Sequence, residues 1–122
     1  MSYVVTGVLD VSRRRVPRDV HHDGSRSRIA LRGEFDIAAE KQFRREMSPV
    51  LEAGPSDLVV DLRELSFLDS TGLRALIRVR EECEAGGCNL WLIRGAPTVQ
   101  RVFEITGVAA HFALVDGDPA PA

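Results

Sequence analysis

The chain has only two cysteines, Cys83 and Cys88, among its 122 residues. Two thiols make neither a disulfide framework nor a complete zinc site. They read as small, partly buried thiols of a reducing compartment. Histidine is as sparse, with three in all, and the adjacent pair His21 and His22 is not spaced as metal ligands. No metal and no cofactor is expected. Long apolar runs are also missing, so no segment is expected to span a bilayer. The start Met1-Ser2-Tyr3-Val4-Val5 lacks the basic region and long apolar stretch of a signal peptide. A cytoplasmic location is the expectation.

Neither sign of charge is in large excess. Sixteen Lys and Arg face eighteen Asp and Glu, for a formal net charge of −2. That balance gives no global drive toward nucleic acid or an anionic membrane. Arg13, Arg14, Arg15, Arg18, Arg26 and Arg28 do cluster, but without interleaved aromatics. The run reads as a solvated basic edge, and nucleic acid is not expected as a partner. The chain also lacks a Gly-x-Ser-x-Gly elbow, a P-loop and a Gly-x-Gly-x-x-Gly turn.

What is present suits one soluble domain with its own core. Residues 1–14 read as an extension: Tyr3 to Val11 is apolar enough for a strand, but Ser12-Arg13-Arg14-Arg15 breaks it. Val16 to His22 and Arg28 to Gly33 flank Asp23-Gly24, a hairpin signal. Ala38 to Ala53 carries Phe43, Met47, Val50 and Leu51 at helical spacing, with Pro49 as a point where the helix is expected to kink or restart. Asp57 to Leu62 reads as a strand covered on both faces. A second helix spans Thr71 to Glu84 with Leu73, Leu76 and Ile77 on its apolar stripe, and Gly86-Gly87 stops it. Asn89 to Ile93 is a buried strand. A third helix runs from Pro97 to Gly107, and His111 to Val115 is a short last strand. Residues 117–122 read as a disordered tail. Strands alternating with helices predict an α/β domain over residues 15–116 whose later strands are mostly parallel.

The most informative segment is Asp69-Ser70-Thr71-Gly72-Leu73, between a buried strand and an amphipathic helix. Ser70 suits an N-cap or first-turn position, where its hydroxyl satisfies a free backbone N–H. The same position suits a modified serine, because a phosphate there would meet the positive end of a helix. Asp69 beside it would repel that phosphate. No histidine, lysine or cysteine lies nearby in sequence to activate Ser70 as a nucleophile, which leaves only His111 as a base brought close in space. No catalytic residue is assigned.

Three motifs in order carry a family resemblance. Gly33-Glu34-Phe35-Asp36 resembles the Gly-Glu-Leu-Asp signature of STAS domains (sulphate transporter and anti-sigma factor antagonist). Val59-Val60-Asp61-Leu62 followed by Ser66 to Leu73 is similar to that family's central strand and phosphorylation loop. Gly86 to Ile93 and then Pro97 to Gly107 resemble its C-terminal half. The resemblance runs from Val16 to Val115. It implies an α/β, STAS-like mixed β-sheet with helices packed mainly on one face. It also implies a function, that of a bacterial anti-sigma factor antagonist. The unmodified protein would bind an anti-sigma factor that is also a serine kinase and so release a sigma factor. Phosphorylation would end the complex and a cognate phosphatase would reset it. By motif the acceptor is Ser70, with Thr71 as a secondary acceptor, and the partner-binding residues are Asp36, Asp69, Ser70, Thr71, Gly72, Leu73 and Arg74. Arg74 stands where the family often has a second glycine, a cation that can change partner choice or pair with a phosphate on Ser70. A non-switching STAS scaffold in a larger assembly is the alternative.

Overall fold

The computed structural model describes residues 4–10 and 26–119, with side chains from residue 26 onward. Five strands, β1 (Val4–Asp10), β2 (Arg26–Phe35), β3 (Asp57–Leu68), β4 (Asn89–Ile93) and β5 (Ala113–Val115), form one sheet in the order 1-2-3-4-5. Three helices connect β2 through β5: α1 (Ile37–Glu52), α2 (Ser70–Gly86) and α3 (Pro97–Thr106). A short 3₁₀ turn, Ala109–His111, precedes β5.

Every pairing among the described residues is parallel. Each strand therefore returns through a crossover, and crossovers of one hand that always step in the same direction put their helices on the same face. This gives the expected α/β fold, with the helices joined to the sheet through one core. Ile29, Leu31, Leu58, Val60, Leu62 and Leu92 from the sheet meet Phe43 and Met47 of α1, Leu76 and Val79 of α2, and Val99 and Phe103 of α3. The helices form because their apolar residues repeat on that side. Ala39, Phe43, Met47 and Val50 make the buried stripe of α1. Phe103 closes the far end of the core edge-on to Phe112, with ring centroids 5.6 Å apart.

Several sequence expectations change. Residues 4–10, read as part of an extension, form a strand that pairs with β2 over its whole length, Val4 with Arg26 through Asp10 with Arg32. Of the expected hairpin, the first arm and the Asp23-Gly24 turn lie outside the described residues, as do His21 and His22. The second arm is β2, flanked by parallel neighbours on both sides. Helix α1 does not restart at Pro49. The proline lies in the last turn with its ring exposed, and the Ala53 N–H still closes on the Pro49 carbonyl at 3.1 Å. Strand β3 runs six residues beyond the expected end at Leu62.

The face of the sheet away from the helices is polar at its centre. Arg28 donates to Asp61 at 2.8 Å, and Arg63 reaches the same carboxylate with Nε at 3.0 Å and Nη2 at 2.9 Å. Burial pushes the Asp61 carboxyl up, but the bonds from Arg63 and Arg28 outweigh it and hold the group below the ordinary carboxylate range. Arg28 also binds Asp118 at 2.6 Å, and Arg26 donates to the Pro119 carbonyl at 3.0 Å. Asp118 and Pro119, expected as part of a disordered tail, thus contact side chains of β2, one by an ion pair and one through its backbone carbonyl. Arg26 and Arg28 are likewise not part of a solvated basic edge; each is matched by an aspartate, Asp57 and Asp61 respectively. Arg13, Arg14, Arg15 and Arg18 lie outside the described residues.

Candidate functional site

The site is built at the end of a two-stranded arm. The β3–β4 ladder stops at Asp61 and Ile93, and the β1–β2 ladder at Asp10 and Arg32. Strands β2 and β3 continue alone through Gly33 with Leu65, Glu34 with Phe67 and Phe35 with Leu68. Two register slips, at Ala30/Arg32 and Gly33/Glu34, each take up one more residue on β3 than on β2. Such bulges bend a strand and increase its twist.

Both strands turn into helices at the tip, and both turns are capped by aspartate. Asp36 Oδ1 accepts from the Ala38 N–H at 3.0 Å at the start of α1. Asp69 Oδ1 accepts from the Thr71 N–H at 3.0 Å and the Gly72 N–H at 3.1 Å at the start of α2. The two turns are joined by the Asp69 N–H, which donates to the Phe35 carbonyl oxygen at 3.3 Å. Phe35 is fully buried and packs on Phe43 with ring centroids 4.7 Å apart, which anchors the tip to the core.

Gly72 explains how close α2 approaches. A Cβ there would stand 2.7 Å from the Phe35 carbonyl oxygen, 2.7 Å from Leu68 Cδ1 and 2.9 Å from Phe35 Cγ. Only a residue without a side chain lets the first turn of α2 lie on the end of β2. Leu73 beside it is buried in the core. The helix is thereby held at a fixed height, with Ser70 raised on its first turn.

Ser70 is exposed and is the first residue of the helix, not its cap. Asp69 has taken the capping role, so the Ser70 hydroxyl has no hydrogen-bond partner among the described residues. Thr71 is half-buried, and Arg74 is exposed one turn further on, with no ion pair among the described residues. His111 does not serve Ser70. It precedes β5 and lines a cavity with Cys83 and Cys88 at the opposite end of α2.

Two apolar residues at the tip are exposed, which the sequence pattern does not signal. Ile37, the first residue of α1, is 76% exposed, and Phe67, three residues before Ser70, is 47% exposed. Each sits inside an otherwise ordinary apolar pattern, and only the end of the arm makes them surface. Ser70, Ile37 and Phe67 are exposed where β2 and β3 turn into α1 and α2, beside the capping carboxylates of Asp36 and Asp69. Exposed apolar side chains suit protein contact, and the free hydroxyl suits modification. Among the described residues no helix is long and apolar enough to cross a membrane.

The chain is similar to several known proteins. A family model described as Mlab, STAS domain matches residues 19–116. An anti-sigma-B factor antagonist of Staphylococcus aureus is 26% identical over 80 residues, covering 66% of this chain and 74% of that protein. The protein of the same name in Staphylococcus epidermidis matches to the same extent. The solved structure of the anti-sigma factor antagonist SpoIIAA in its unphosphorylated form superposes with a TM-score of 0.65 at 28% identity, over 76% of this chain and 82% of that one. An anti-sigma factor antagonist from Mycobacterium paratuberculosis gives a TM-score of 0.70 at 27% identity, over 80% and 81% of the two chains.

Proposed function

The chain belongs to the STAS-domain family, and from that premise we propose that it is an anti-sigma factor antagonist switched by phosphorylation of Ser70. In its unmodified form it binds an anti-sigma factor that is also a serine kinase, and the sigma factor is released. The kinase transfers phosphate to the Ser70 hydroxyl, the complex separates, and a phosphatase restores the starting state. The protein acts by binding and is not itself the enzyme. A kinase and a phosphatase as partners put the exchange in the cytoplasm.

The observation that carries this reading is the free, exposed Ser70 hydroxyl on a helix start already capped by Asp69. A serine kept only as a cap would be bonded to the N–H groups that Asp69 occupies. Exposed Ile37 and Phe67, at the same end of β2 and β3, would supply apolar contact to a partner. Asp36 and Asp69 supply the negative field that a new phosphate would reinforce. The names of the relatives point the same way. Thr71 is a weaker acceptor than Ser70, since it is half-buried.

The test is phosphate transfer from the cognate kinase, mapped by mass spectrometry. Phosphate on Ser70, its loss in Ser70→Ala, and retained kinase binding by that variant are the expected results. Stable binding with no transfer would leave a non-switching scaffold as the function.

A further inference from the structure

At the other end of α2, roughly 20 Å from Ser70 by the rise of the helix, the two cysteines meet. The helix ends on Gly87, whose φ of 75° makes the left-handed turn. The Cys88 N–H then returns to the Cys83 carbonyl oxygen at 2.8 Å. This closure sets residues 83 and 88 side by side, because the motif brings together the side chains at its two ends. Cys83 is buried at 1% exposure, whereas Cys88 is half-buried at the surface. The Cys88 thiol donates to the Asn89 carbonyl oxygen at 3.7 Å, and both sulfurs border one cavity. A hydrogen bond from Cys83 draws the Cys88 thiol below the usual thiol range, and the same contact together with burial pushes Cys83 up. A cavity of about 270 Å³ lined by Cys83, Cys88, Arg80, Leu90, Trp91 and His111 opens on the pair. A small oxidant therefore has room to reach Cys88.

We propose that Cys83 and Cys88 are a dithiol modification site that a two-electron oxidant of the hydroperoxide class closes to an intrachain disulfide. With hydrogen peroxide the Cys88 thiolate attacks one peroxide oxygen, the O–O bond breaks, and Cys88 sulfenic acid and hydroxide form. The Cys83 sulfur then attacks the Cys88 sulfur and the S–O bond breaks. Hydroxide departs and combines with the Cys83 proton as water. Both sulfurs end oxidised by one electron each, and the peroxide is reduced to two waters. A disulfide needs Cα atoms about 4.4–6.8 Å apart, and a pair joined by a backbone hydrogen bond across a helix end is close-set. Gly86 and Gly87 lie between them and let the short loop adapt. The site is independent of the switch proposed for Ser70.

The test uses the full, reduced chain, treated with hydrogen peroxide and then unfolded in N-ethylmaleimide. The expected product has lost two hydrogens and takes up no maleimide. Cleavage after Glu84 should leave its two cysteine-containing pieces joined until a reductant is added. In Cys83→Ala, Cys88 should stop at the sulfenic acid, which dimedone traps. In Cys88→Ala, Cys83 should stay reduced at the same peroxide dose. Two free thiols, cross-linking between chains, or sulfinic acid on Cys88 of the unsubstituted chain would each overturn the proposal. The mapping of the unsubstituted chain decides the matter even where a variant fails to fold.

Discussion

The Asp69 N–H donates to the Phe35 carbonyl oxygen at 3.3 Å, and Gly72 lies against that same oxygen. The start of α2 is thus fixed to the end of β2 at a point that admits no side chain. Gly72→Ala should be destabilising, by about 1–3 kcal/mol as in other overpacked sites. Helix propensity alone would favour alanine by up to about 1 kcal/mol, so the two effects have opposite signs. Urea unfolding of the variant decides between them. A more stable variant would show that α2 does not need this close approach.

Asp69 combines a cap and a charge, and two substitutions separate them. Asp69→Ala removes the acceptor for the Thr71 and Gly72 N–H groups and should cost about 0.5–2 kcal/mol. Asp69→Asn keeps a capping oxygen and should recover most of that stability. Any loss of partner binding that persists in the asparagine variant then reports the charge. Thermal melts and a binding titration on the two variants make the comparison. Equal stability of the two variants would sink the capping assignment.

How far the sequence could be read depended on which residues face one way. The helices were legible because Phe43, Met47 and Val50, or Leu73, Leu76 and Val79, recur on one side. The outer half of β3 was not, because Arg63, Glu64, Ser66 and Phe67 are exposed while Leu65 and Leu68 are buried. The two register slips break the alternation that marks a strand. Asp69, Ser70 and Thr71 are all good caps, so the sequence could not say which one caps; that choice left Ser70 free. The place of Asp118 was hidden because its partners Arg28 and Arg63 are distant in sequence.

Leu76 is fully buried on the stripe of α2 that meets the sheet. Leu76→Asp should abolish cooperative folding, since an unpaired buried carboxylate costs several kcal/mol, on the order of a domain's whole stability. The check is a thermal melt followed by circular dichroism. A melt close to that of the unsubstituted chain would mean that the helix is wrongly phased.

Asp61 makes stability depend on acid. Its folded-state pKa lies below the unfolded value of about 3.9. The contribution is therefore present at neutral pH and is lost as pH falls through the folded value. Denaturant unfolding between neutral pH and pH 3 should show a steeper acid loss in the unsubstituted chain than in Asp61→Asn. Asp61→Ala should cost about 1–3 kcal/mol at neutral pH, as for lost hydrogen bonds to a charged group, because Arg28 keeps Asp118 and Arg63 stays in water. Parallel pH profiles would remove Asp61 from the account.

Arg74 sets the strength of the proposed switch. The Ser70 hydroxyl is small and neutral, so a partner surface can close on it together with Ile37 and Phe67. Phosphate adds bulk and about two negative charges beside Asp69 and Asp36. Against a carboxylate or an apolar contact on the partner, this should weaken binding by about 2–4 kcal/mol, or tens to hundreds of fold. Arg74 lies four residues on, exposed on the same helix, at a spacing that lets it reach the phosphate. Its guanidinium would neutralise part of the new charge and weaken the repulsion. The pair is open to solvent, so its effect should be small, about 1 kcal/mol or less, and should fade with salt. Arg74→Ala should therefore widen the affinity gap between unmodified and Ser70-phosphorylated protein by about two- to fivefold at low salt. Ser70→Asp should reproduce the weakening only in part, since a carboxylate carries less charge in a different shape. Calorimetry of the purified kinase partner against each form measures all of these. Equal affinities for unmodified and phosphorylated protein, with or without Arg74, would make the chain a scaffold whose binding does not depend on Ser70.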